Sequence, residues 1–230
     1  MYPLTHLYFT KNVLGRLSSA LALGSVLPDI LTSVGMKWKE AHSQNIFPHK
    51  EMLLGNLIHG INLPGLDYYS DCAFEGQEGF AFQYAKHLEM DLTELGIPKE
   101  HSIWRGHNFI EMAIEVRLNQ TEESELWKNL ELASQDENLK AIIYDFLSEH
   151  NYNEIHLVDL ALERFLTLRG NLDKLAIDYA KKLSAIYQLH IDPKNCQDLI
   201  LKAQTLINGH YKLFLEKCCD QIKQDIAHFI

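Results

Sequence analysis

Apolar residues recur along this chain at helical spacing, and no alternating pattern of strand type persists anywhere. Leu14, Leu17 and Leu21, with Val13, fall on one face of a short helix that Pro28 should end. Residues 32–48 are polar and irregular. A second helix is predicted from Pro48 or Glu51 to about Leu63, where Pro64 and Gly65 break it, and the Gly- and Asp-rich stretch 65–79 reads as a loop. A third helix is expected over 79–95 and a fourth from Pro98 to about Asn119. Further helices follow near 121–133, 136–149, 154–168, 172–188 and 193–226. Thr121, with Glu122 and Glu123 behind it, Asn153, and Asp192 ahead of Pro193 are the expected N-caps. No repeat, low-complexity tract or long linker interrupts the series. The expected fold is therefore all-α: one multi-helix domain over residues 1–230.

Composition changes this picture little. At 230 residues, 47% hydrophobic and 23% charged, the chain can bury a core without disulfides. Cys72, Cys196, Cys218 and Cys219 include no CxxC pair, which fits a reducing compartment. No basic n-region with a cleavage site opens the chain, and the apolar run 17–27 is too short to cross a bilayer. These features set the expectation of a cytoplasmic protein without a transmembrane segment. A net charge of -10 argues against duplex nucleic acid as a partner but leaves room for a metal site that binds phosphate.

The chemistry concentrates in the first half, which carries His6, His42, His49, His59, His87, His101 and His107. His107 and Glu111 are four apart on a predicted helix, so they share a face and can close on one divalent ion; an ordinary surface pair has the same spacing. His59 lies among Leu53, Leu54, Leu57 and Ile58, where a core histidine is the plain alternative. Asp67 and Asp71 follow a Pro-Gly break that lets the chain turn back toward His59. Asp29 follows Pro28, where a capping role at a helix end is the plain reading.

In order, Thr5-His6, Gly24-x-x-x-Pro28-Asp29, a histidine, Gly55-x-x-x-His59 followed by Asp67, and His107-x-x-x-Glu111 resemble the bacterial zinc-dependent phospholipase C family, which is related in fold to the single-strand-specific fungal nucleases. The resemblance covers residues 1–115. It implies an all-helical phosphoric ester hydrolase with a cluster of up to three zinc ions, acting on a phospholipid or another small phosphodiester. Asp29, His49, His59 and Asp67 would hold one ion, and His107 and Glu111 a second. His6 would contribute to a third, sharing Asp67. His42 competes with His49; Asp71, His87 or His101 would complete the second set. The step from His59 to Asp67 is widened by residues 63–66. The secreted members use a processed N-terminal amino group as a ligand, a part not expected of Met1 here, which leaves two metals as the expected number.

These ligand types suit Zn²⁺, and also Mn²⁺ or Fe²⁺. Asp29 is the expected general base. Arg105 is either a phosphate contact or a surface residue. Tyr8, Phe9, Trp38, Phe47, Tyr68, Tyr69, Phe80 and Trp104 line a cleft or belong to the core. A non-catalytic helical protein that binds metal or a partner on the same scaffold is the alternative function. An HD-type phosphohydrolase would need an adjacent His-Asp pair, which the chain lacks.

Overall fold

The computed structural model describes residues 1–44, 47–121 and 125–227. Among them are thirteen α-helices and one pair of two-residue strands, Ala73–Phe74 and Gln77–Glu78, antiparallel to each other. The all-helical expectation holds. Among the described residues, no helix is long and apolar enough to cross a membrane.

Helix α1 (Pro3–Leu14) starts on Pro3, whose fixed φ suits the first turn, and stops at Gly15 in the left-handed region at φ 70°. α2 (Ser19–Ser33) is capped by Ser18, whose hydroxyl accepts from the Leu21 amide at 3.1 Å. Pro28 does not end it. The helix runs on for five residues, so Asp29 lies within a helix and not at its mouth. A proline inside a helix costs roughly 3 kcal/mol through one lost hydrogen bond and a clash. Burial outweighs that here. Leu21, Leu23, Val26, Leu27, Ile30 and Leu31 are all fully buried, each contributing about 1.5–3 kcal/mol.

The partner of α2 is α4 (Lys50–His59), which packs along it more extensively than any other pair in the molecule. Gly24 and Gly55 make that approach. A Cβ on Gly55 would stand 2.5 Å from the Leu21 carbonyl oxygen and 2.6 Å from the Ser25 amide nitrogen. The same crossing brings Asp29 and His59 to one end of the helix pair. Gly55→Ala should cost about 1–3 kcal/mol or more, because backbone has to move. Thermal denaturation checks this, and an unchanged midpoint would refute it.

Between them lies α3 (Trp38–Ala41), in a stretch that reads as irregular because one turn shows no periodicity. The loop 65–79 contains a π-helical turn, Tyr68–Cys72. The helix expected over 79–95 is divided into α5 (Phe80–Ala85), a 3-10 turn and α6 (Glu89–Glu94). α7 (Lys99–Thr121) is the longest helix and passes through the centre. Thr121 is itself helical; Glu122 and Glu123, named with it in the expected cap, lie outside the described residues.

Helices α8 (Glu125–Gln135), α9 (Glu137–Glu149), α10 (His156–Leu168) and α11 (Leu172–Tyr187) follow close to the expected positions. Asn153 caps nothing, since α10 starts after Ile155. The stretch expected as one helix over 193–226 is two, α12 (Pro193–Leu206) and α13 (His210–Ile226), parted at Gly209 with φ 80°. Asp192 does cap α12, accepting from the Lys194 amide at 2.8 Å.

A candidate metal centre

Asp67 is the hub. It sits at the entry to the π-helical turn, 1% exposed, with four nitrogens around its carboxylate. The Met1 amine is 2.8 Å and His6 Nε2 3.4 Å from Oδ1; His42 Nε2 and His59 Nε2 are each 3.2 Å from Oδ2. Burial acts to raise the Asp67 carboxyl, but the Met1 ammonium and the His59 and His6 rings outweigh it and hold it well below the usual range.

The histidines are aimed. His59 Nδ1 is 2.7 Å from the Ser25 carbonyl oxygen and His42 Nδ1 is 2.9 Å from that of Trp38. A carbonyl only accepts, so each Nδ1 carries the proton. In the neutral ring the lone pair is then on Nε2, facing the cluster. Neither Nε2 makes a hydrogen bond, and neither does either nitrogen of His6, although all these atoms are buried. His6 and His59 stack face to face, centroids 3.5 Å apart. Burial, then the neighbouring His59, pushes His6 well below the ordinary imidazole pKa, so it is neutral. Burial also works against charge on His59, yet Asp67 prevails and raises it.

A second group lies alongside. Asp71, His107 and Glu111 offer ligand atoms all within 4.8 Å of one another, as do His42, His59 and Asp67, and His6, Asp29 and His59. Burial and the nearby Glu111 and Asp67 drive Asp71 well above the usual carboxylate range. Its Oδ1 has no hydrogen-bond partner. Glu111 accepts from the Ser70 hydroxyl at 3.1 Å and lies 3.2 Å from the Met1 amine, which joins the two groups. Burial opposes charge on that amine, but Asp67 and Glu111 hold its pKa well above the ordinary value. The His107 ring stacks on Phe82 at 4.7 Å. Burial lowers its pKa despite Glu111.

The expected residues thus sort plainly. His6, Asp29, His59, Asp67, His107 and Glu111 come together. His49 does not: it caps α4, its Nδ1 facing the Met52 amide at 3.4 Å, and His42 occupies the place proposed for it. Asp71 completes the second group, whereas His87 and His101 are exposed elsewhere. The Met1 amine, set aside in the sequence reading, is at the centre. Glu115 was missed. Buried at 1% exposure, it accepts from the Leu4 amide (2.9 Å), the Thr5 amide (2.8 Å) and the Thr5 hydroxyl (2.9 Å), and so fixes the start of α1 beside the cluster. Burial pushes it up to about 7, against the pull of those donors. The spacing His107, Glu111, Glu115 is itself a signal, a polar ladder on an otherwise buried helix face.

A cleft of about 320 Å³ opens over the cluster, lined by Asp29, Asp71, Glu111 and His107 together with Trp38 and Trp104. Of the other aromatics named above, Phe9, Phe47 and Phe80 are core.

The residues present fit divalent ions. The donor set is imidazole and carboxylate, and the inward nitrogens of His6, His42 and His59 and Oδ1 of Asp71 are buried without a hydrogen bond, which a cation among them would satisfy. Compared with protein-family models, curated proteins and solved structures, the chain matches none.

Proposed function

We propose that this protein is a metal-dependent phosphoric ester hydrolase, with zinc as its metal, similar to the zinc-dependent phospholipases C. One observation carries the reading. The His42 and His59 Nε2 lone pairs, set by backbone carbonyls, converge with Asp67 on a buried point where no hydrogen bond satisfies them.

His42, His59 and Asp67 would hold one ion, with His6 and Asp29 beside it, and Asp71, His107 and Glu111 another. Bound there, the metal would supply Lewis acidity toward phosphoryl oxygens. The chain's own residues do the rest. Asp29, 27% exposed at its side chain on the cleft wall and 3.8 Å from His42 Nε2, is placed to take a proton from a water in the cleft. Trp38 and Trp104 narrow the cleft around a substrate and limit water there. Ser70 fixes Glu111, and Glu115 fixes α1, so that the donors need not reorganise when charge develops.

The test is elemental analysis of protein prepared without chelator, followed by turnover on phosphatidylcholine, a dinucleotide and a generic phosphodiester. About two zinc ions per chain and chelator-sensitive hydrolysis are expected, as two sets of donors require. Bound metal without turnover on any ester would favour a non-catalytic metal protein. Less than about one ion per chain would end the reading.

A further inference from the structure

The cleft carries both signs of charge. Its lining includes the carboxylates and imidazole of the cluster, and also three cations, Arg105 on α7, Arg164 on α10 and Lys182 on α11. In a chain of net charge -10, such a grouping is not background. Arg164 is already matched: its Nε and terminal nitrogen donate to the two Asp178 oxygens at 3.0 and 2.6 Å. The other two cations are not. Arg105 donates Nε to the Tyr187 hydroxyl at 2.8 Å and lies over that ring at 5.5 Å, which holds the guanidinium while leaving its terminal nitrogens without an acceptor. Lys182 lies 5.8 Å over the Tyr179 ring. Among the described residues the contacts of these two cations are with tyrosines and not with a carboxylate. Burial and the adjacent Arg164 and Arg105 lower the Lys182 pKa, as expected of cations crowded without enough counter-charge.

We propose that the cleft takes a phosphate ester carrying a second anionic group, the ester lying over the His/Asp cluster and the second anion on Arg105 and Lys182. This names the substrate class of the hydrolase reading and rests on it for the position of the ester. A planar guanidinium with free terminal N–H groups and a flexible ammonium make a pair suited to a phosphate or carboxylate. A cationic headgroup would meet repulsion there. The second anion can come from a phosphorylated nucleotide or from a phosphorylated polyol headgroup.

The test is binding, read by tryptophan fluorescence, because Trp38 and Trp104 line the cleft while Trp127 is buried in the core. Two pairs of probes are compared on protein as purified and after zinc addition. One is thymidylyl-thymidine with and without a 5′-phosphate. The other is glycerophosphoinositol with and without a 4-phosphate. In at least one pair the phosphorylated member should bind about tenfold tighter or more, as charge-assisted contacts allow, and the pair that responds identifies the source. In Lys182→Gln and in Arg105→Gln the ratio should fall toward one, with zinc content and far-UV circular dichroism as in the wild type. Ratios near one in both pairs, ratios that survive both substitutions, or no binding of any probe would overturn the proposal. Hydrolysis with a ratio near one sinks this inference and leaves the hydrolase reading; a steep ratio without hydrolysis does the reverse.

Discussion

His42→Ala and His59→Ala should each strip the protein of most of its metal, while His49→Ala should keep it. Neighbours that merely orient a ligand cost about 10–100-fold in metal affinity when lost, so removing a ligand should exceed that. His42 and His59 each bring an unpartnered Nε2 within 3.2 Å of Asp67; His49 spends its ring on capping α4. Losing that cap costs about 0.5–2 kcal/mol of stability and no metal. Zinc per chain after dialysis separates the outcomes. Equal zinc in His42→Ala and His49→Ala would mean that the converging rings do not form a metal site.

The exchange of His49 for His42 shows where the sequence stops being legible. His59 and the His107–Glu111 pair lie on regular helices, so spacing alone sets them on a common face. His42 follows a single turn of helix, Trp38–Ala41, in a segment with no periodicity to read, and tertiary contacts such as the Ile61 amide bonded to the His42 carbonyl at 2.8 Å tie it to the end of α4. Pro28 misled for a different reason. Its local penalty is legible and the burial that overrides it is tertiary. The Met1 amine carries no pattern at all, and its place depends on Glu115, more than a hundred residues away, gripping the first amides of α1. The fold class, by contrast, follows from composition and periodicity over long stretches, which local surprises do not disturb.

Asp29→Asn should retain zinc and lose about 10²–10⁴ in kcat, the usual cost of removing a general base. The substitution keeps size and one oxygen toward His6 and His59 but removes the oxygen that accepts a proton. Because Asp29 is held within α2 and not at a frayed end, the Asn variant should fold and keep the same position on the cleft wall. Turnover and zinc content measured side by side on a substrate that the wild type accepts decide the matter. Full activity would remove Asp29 from the chemistry, and activity falling only in step with zinc would make it a ligand and nothing more.

The Nδ1 of each central histidine is held by a main-chain oxygen, that of Ser25 for His59 and of Trp38 for His42. Alanine scanning would therefore pass over position 25 as a holder of His59, since every residue type brings the same carbonyl, whereas the Trp38 ring also stacks on His42 at 4.6 Å and would register. These two hydrogen bonds are written into the path of the backbone, where a shift of α2 or α3 would undo them. Metal affinity should accordingly be more sensitive to changes that move α2, such as a side chain added at its glycine crossing with α4, than to the identity of the residue at position 25.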